Sequence, residues 1–480
     1  MKKKLCLLLA MLLVLSPAVS CGEENIPEET TPEVTGTTSD EPHAYTLFEG
    51  LPEKDFGGTE FRILVREHLV NDFLPETQTG DVLTDALYKR KEAVEERFKV
   101  KIVYTPIGGR WGNRSEFTTT VRSSVMSGSG DFDLIEANSA YVGDLFGENI
   151  FENLHEIKNL RLEKSWWSEL IVDSLTVNGK LFAITGDISM TLFDYLHVIF
   201  FNKDLMDQYG MEYPYEMVRN GTWTIDKLLG MIKDKGTNLD GEEPDRKYGM
   251  TVWDTLSMDN LLTAFGVPRT KTDKSGKIEF DIVNEKSVAV WEIANSIWRD
   301  NPDVNRTGGD NYTGALKKFY DGQSIFHLTW LTDAKSLRDK TLDYGILPYP
   351  KYDESQENYF TGARDGHSMF CIPIDAQDKD FSGLITEAIC EAGALYVRPA
   401  YIEKTLNSKL ARDDDSVEML GIIRDTATME FALEYAIQND YGGMAMRQSV
   451  LHGTPITTWW AQNKSACEAS FEEFMKAYEN

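Results

Sequence analysis

The stretch DVLTDALYKRKEAVEERFKVKIVY, residues 81–104, decides the fold class. Leu83, Leu87, Val94 and Phe98 fall on one helical stripe, and Asp81 stands where an N-cap is expected. From Val100 to Tyr104 the chain alternates apolar and polar residues, as a half-buried strand does. Upstream, Phe61, Ile63, Leu64 and Val65 make another short apolar run. Strand, helix and strand in that order predict a βαβ unit, hence a parallel sheet and a right-handed crossover. A further helical stretch over about 115–126 leads to Asp133-Leu134-Ile135, a third strand. The predicted class is α/β, with a doubly wound sheet in the first part of the chain.

Further along, Val177-Asn178-Gly179-Lys180-Leu181-Phe182-Ala183-Ile184 reads as a hairpin with an Asn-Gly turn. His197–Phe201 reads as a buried strand. A helix opens at Thr222, which is the expected cap. Strand-like runs recur at Tyr248–Val252, Ser324–Leu328, Tyr344–Leu347 and Met369–Ile372, and the chain from about Phe381 is mostly helical. No internal repeat is present.

The N-terminus is different material. Lys2, Lys3 and Lys4 precede an almost unbroken apolar run from Leu5 to Leu15. That run is too short to span a bilayer and fits a secretory signal over 1–20. Ala18-Val19-Ser20-Cys21-Gly22 resembles a bacterial lipobox, which makes Cys21 the expected lipidated residue. A Glu-, Thr- and Pro-rich segment follows, and 21–57 reads as an acidic tether without apolar period. The expected location is the outer face of a bacterial cell membrane, held there by the N-terminal lipid alone.

Composition narrows function mainly by exclusion. With 49 Lys+Arg against 78 Asp+Glu, the net charge is −29. That balance argues against nucleic acid as a partner, because phosphate affinity needs clustered Lys and Arg. It also argues against adhesion to an anionic membrane through protein charge. Three cysteines remain beyond the lipobox, Cys371, Cys390 and Cys467, and buried thiols are expected. There is no G-x-S-x-G, P-loop, H-E-x-x-H or C-x-x-C, and no pair of the seven His has metal-ligand spacing. Neither a cofactor nor a metal is expected. The acidic loop 238–245 resembles a degraded calcium loop whose register is broken, and Asp413-Asp414-Asp415 reads as a helix entry.

An ordered set of motifs carries a resemblance over about 58–480. Gly130-Asp131-Phe132-Asp133-Leu134-Ile135 is followed by Phe151-Glu152-Asn153-Leu154, then by Asn178-Gly179-Lys180-Leu181-Phe182-Ala183-Ile184. Next come Phe201-Asn202-Lys203-Asp204-Leu205, Thr222-Trp223, Phe319–Phe326 and Tyr344-Gly345-Ile346-Leu347-Pro348-Tyr349-Pro350. The set is similar to family 1 extracellular solute-binding proteins, the maltose-binding-protein-like lipoprotein receptors of ABC importers. The resemblance implies a two-lobed periplasmic-binding-protein-like fold of type II. The lobes would be 58–188 plus 368–408 and 192–364 plus 410–480, joined by hinge strands. It further implies a small ligand, a sugar or oligosaccharide, held between the lobes and handed to transmembrane permease subunits.

Sugars present hydroxyls and apolar ring faces, so their sites combine aromatic platforms with Asp, Asn, Glu and Arg. The candidates just past predicted strands and at the hinges are Arg66, Glu67, Asn138, Tyr141, Asp187, Trp253, Trp330 and Arg364, with His367 beside the return hinge, and the resemblance adds Trp459 and Trp460 in the last segment, where it implies an aromatic platform. The leading expectation is a binding receptor with no chemistry of its own. The alternatives are an exported glycoside hydrolase, for which a closed barrel would speak, and a receptor for a non-sugar solute.

Overall fold

The computed structural model describes residues 46–479, apart from 74, 239–244, 254, 275–276, 308–311, 339 and 408–412. The segments expected to be signal and tether, with Cys21, lie almost wholly outside the described residues, as does the centre of the 238–245 loop.

Two open sheets organise the chain. The first has four strands in the spatial order Val100–Ile107, Thr59–Arg66, Leu134–Asn138, Ser368–Cys371. The first three run parallel, and the fourth returns antiparallel with Ser368 opposite Asn138. The second has five, in the order Tyr344–Leu347, His197–Asn202, Ser324–Trp330, Tyr248–Trp253, Val304–Thr307. It is parallel around Tyr248–Trp253 and antiparallel around His197–Asn202. Helices flank both sheets, giving the α/β class that the sequence predicts.

The deciding stretch folds as its pattern requires. The helix Val82–Phe98 opens on Asp81, whose side chain accepts from the Thr84 amide at 3.0 Å. Leu87, Val94 and Phe98 are buried beneath it. The helix capped by Thr222 in the sequence reading instead starts at Ile225, with Thr224 accepting from the Lys227 amide. At Asn178-Gly179 both residues have positive φ (51° and 73°), as a type I′ turn needs, but only Val177 and Lys180 pair across it. Asp413 caps the helix Asp414–Asp425 and pairs with Lys203, which accounts for the acidic run as a helix entry. Cys371, Cys390 and Cys467 are buried free thiols.

Two expected boundaries move. Phe48 and Leu51 are buried, and Phe48 packs edge-on against Phe98, so packed chain begins about ten residues before Gly58. At the other end, the helix Ile456–Met475 starts on Phe280, where Trp460 packs, but finishes beside Phe146 of the first-sheet half. Asn178 donates there to the Tyr478 carbonyl at 3.2 Å. The tail of the chain is therefore shared between the halves rather than confined to the second.

The chain passes from one sheet to the other over Thr185–Leu196 and comes back over Ala363–His367. These segments lie side by side: Ile184 bridges Phe370, Leu196 bridges Ala363, and the Arg364 amide donates to the Tyr195 carbonyl at 2.9 Å. Arg66 pins the return. Its guanidinium pairs with Glu136 at 2.6 Å, donates to the Gly366 carbonyl at 2.9 Å and reaches Ser368 Oγ at 3.1 Å. Both members of the ion pair are about 1% exposed. Removing one partner of such a pair strands the other charge in a dry interior. Arg66→Ala is therefore expected to destabilise the protein by about 3–5 kcal/mol in urea unfolding, whereas Lys101→Ala, in an exposed pair with Glu60, changes it by less than about 1 kcal/mol.

Candidate functional site

A polar cavity lies where the two crossing segments meet the second sheet. His197, at the start of its strand, forms one wall. Asp259 and Asn260, on the helix Leu256–Ala264 that follows Tyr248–Trp253, form another. Ala363, Arg364 and Asp365 of the return segment, with Glu434, Met444 and Arg447, close it. Its volume is ≈ 30 Å³, room for about two water molecules.

Buried polar atoms without hydrogen-bond partners converge on this cavity. They are His197 Nδ1, both amide atoms of Asn260 and Glu434 Oε1, with His367 Nε2 facing Glu434 at 3.3 Å. Buried polar groups are nearly always satisfied, so a cluster of exceptions calls for a ligand or water to complete it. Asn260 is only 2% exposed, and its Oδ1 would sit 2.4 Å from any Cβ placed on residue 362, which is why glycine stands there. His367 Nδ1 lies 3.2 Å from the Arg364 carbonyl, which can only accept, so Nδ1 is the donor of that contact.

The charges around the cavity are held in fixed places. Asp259 accepts from Arg447 twice, from the amide at 3.0 Å and from Nε at 2.6 Å. Burial still holds its carboxyl above the usual range, with Arg447 and then Arg269 pulling it back. The Arg364 guanidinium lies over the Trp330 ring, 4.5 Å from its centroid, with Tyr195 at 5.1 Å, and it remains about a quarter exposed. Trp253 meets Trp330 edge-on at 5.3 Å. Burial pushes His197 down to about 3, assisted by the positive charge of Arg364 and Arg447, so the ring is neutral and can both donate and accept.

The sequence-predicted residues divide. Arg364 lines the cavity, Trp330 backs it, Trp253 extends the aromatic wall, and His367 lies at its edge. Glu67 is exposed at the carboxyl edge of the first sheet. Arg66 is fully buried in its pair with Glu136. Tyr141 is also fully buried and donates to the Gly109 carbonyl at 2.7 Å. Asn138 caps its own turn by accepting from the Ala140 amide. Asp187 pairs with Arg398 at 2.7 Å in a separate cavity of ≈ 400 Å³ between 165–171 and the two helices near Arg398 and Arg424. Trp459 and Trp460 are core: 8% exposed, with Trp460 against Phe280. Arg66, Asn138 and Tyr141 show why: polar and aromatic residues at strand ends also hold the strand ends together. Asp259, Asn260, Glu434 and Arg447 escaped the sequence reading because they lie within helices or helical stretches rather than just past strands.

The family model described as "Bacterial extracellular solute-binding protein" matches residues 90–383, more than half of the chain. The chain belongs to this family. No curated protein matches this solute-binding protein in sequence. Among solved structures, it is similar to UspC of M. tuberculosis, at 13% identity and a TM-score of 0.57, over 86% of this chain and 100% of that one. It is similar to Lmo0181, the ABC substrate-binding protein of Listeria monocytogenes in complex with cycloalternan, at 14% and 0.53, over 87% and 98%. The GacH receptor of Streptomyces glaucescens, solved unliganded and with acarbose, matches at 13% and 0.53, over 88% and 100%. At these identities the likeness establishes the shared type II solute-binding fold.

Two outcomes follow from the unsatisfied atoms. Asn260→Leu removes polar atoms that have no partner, so it is expected to leave thermal stability unchanged or raised; a fall of several degrees would show that the amide is satisfied. His197 has a folded pKa below its ordinary 6.5, so its stabilising contribution is complete above pH 6.5 and is lost as pH falls toward about 3. His197→Gln should therefore lose less stability than the wild type between pH 7 and pH 4 in urea titrations.

Proposed function

We propose that this protein is the lipid-anchored receptor of an ABC importer, capturing a sugar or oligosaccharide between two lobes and delivering it to the permease subunits. The observation that carries this reading is the convergence of unsatisfied donors and acceptors, from His197, Asn260, His367 and Glu434, beside the Trp253–Trp330 pair and the guanidinium of Arg364. Hydroxyls that both donate and accept complete such a set, and parting of the halves would have to uncover the Trp253–Trp330 pair, now beneath Arg364, before a sugar ring could lie on it. The sugar-bound state of two of the similar structures, with cycloalternan and with acarbose, supports the same class.

The cavity is far smaller than a sugar. Binding therefore requires the halves to part along the paired crossings Thr185–Leu196 and Ala363–His367 and then to close on the ligand. In that motion the first half would be 47–188 with the return strand, and the second the sheet built on His197–Asn202. One acid of the cavity favours a receptor over a hydrolase: Asp259 is locked to Arg447 by two hydrogen bonds. A pair of free carboxylates flanking a scissile bond is what hydrolysis needs. The tether and Cys21 supply the anchor that keeps the receptor near its permease.

Ligand that binds only the native state raises the melting temperature, so a saccharide panel tests the reading. At a hundred times Kd the expected gain is about 2.7 kcal/mol. An upward shift with a saccharide, abolished by Arg364→Ala, is the expected result; a shift with amino acids, peptides or polyamines alone would move the receptor to another solute class. For the anchor, Cys21→Ser should release the protein from the membrane fraction and end metabolic labelling with a fatty-acid analogue; continued labelling would contradict lipidation at Cys21.

A further inference from the structure

Trp111 is the one tryptophan among the described residues that is largely exposed, at 51%. It follows the carboxyl end of Val100–Ile107, in a short turn, Trp111–Asn113, that leads into the helix Arg114–Ser127. The turn is not loose. The Gly109 backbone presses on Arg66, whose Cγ would lie 2.2 Å from a Cβ at that position, and the Gly109 carbonyl takes the Tyr141 hydroxyl. One face of the Trp111 ring is covered by the Arg114 guanidinium at 5.1 Å. Arg114 is fixed in turn by Asp144 at 2.6 Å, and Asp144 accepts from Gln438 at 2.8 Å, four residues beyond Glu434 of the polar cavity. The result is a large apolar ring, held rigidly, backed on one side and open on the other, at the carboxyl edge of a parallel sheet where α/β folds bind ligands.

We infer that Trp111 is an outer subsite on which a sugar ring stacks, and that the ligand is an oligosaccharide rather than a monosaccharide. The length follows from the sheet. The return segment Ala363–Asp365 lines the polar cavity and leads into Ser368–Cys371, which is separated from Val100–Ile107 by three strand-to-strand steps. At about 4.8 Å per step these amount to about 14 Å, more than one ring spans. The inference rests on the proposed sugar class and adds its size and one residue that selects it.

The test uses the full mature chain, titrated calorimetrically with malto-, cello-, xylo-, manno- and galacto-oligosaccharide series of one to six rings. The expected result is that affinity in the series that binds increases with length. Trp111→Ala then weakens the long members about tenfold, leaves the shortest binding member unchanged and keeps the melting temperature of the free protein, while Trp111→Phe restores most of the loss. Equal affinity of Trp111→Ala and wild type for every length, or a monosaccharide bound as tightly as its oligomers, overturns the inference while leaving the sugar receptor standing. Binding by no series overturns both.

Discussion

Everything at the candidate site depends on how the chain passes between its two sheets, and a single buried ion pair fixes that passage. Arg66 and Glu136 sit on neighbouring parallel strands, at their carboxyl ends. Two buried charges so placed are stable only if their remaining donors and acceptors are used. Arg66 uses them on the return segment, at Gly366 and Ser368, and the Arg66 amide is itself bound by Glu136 at 3.0 Å. The return segment is thereby locked to the first sheet at one end, while Ala363 is tied to Leu196 and the second sheet at the other. Between those fixings lie Arg364 and Asp365, which face the polar cavity.

That arrangement explains how rigidity and function are divided. The sheets are closely packed, with Phe61, Leu64, Ile135, Phe200, Phe201 and Phe326 fully or almost fully buried, although their strands also carry unpartnered polar atoms at Asn305, Thr307 and His327. What sets the crossing apart is that several such atoms, from His197, Asn260, His367 and Glu434, meet at one cavity, where a ligand can complete them together. Larger cavities exist, such as the ≈ 400 Å³ space beside Asp187 and the ≈ 480 Å³ space beside the terminal helix near Phe471. Among the described residues neither is lined by the buried, unpartnered side chains found at the small one. Volume is therefore the wrong guide to this site, and polar satisfaction the better one.

Much of the fold was legible because periodicity and capping are local. Asp81 and the stripe Leu87, Val94, Phe98 behave in the structure as they read in the chain. Resemblance supplied what local patterns could not, namely that two sheets are built from chain that crosses and returns. The site was legible only in part. Arg364 and Trp330 were accessible to reasoning because they end strands or hinges. Arg66 and Tyr141 have the same signature but spend their polar groups on Glu136 and Gly109, a choice made by tertiary contacts. Asn260 and Glu434 gave no signal, since an amide or carboxylate inside a helical run is usually solvent-facing. Trp111 was passed over because the sequence does not reveal that its ring stays exposed with Arg114 behind it.

The most direct measurement is a crystal structure of the protein with the saccharide that most raises its melting temperature. The account predicts sugar hydroxyls within hydrogen-bonding distance of Asn260, His197 and Glu434, and a ring against the Trp253–Trp330 wall, with the crossings Thr185–Leu196 and Ala363–His367 as the hinge. A saccharide seated instead in the cavity beside Asp187 and Arg398, with Asn260 still unpartnered, would contradict it.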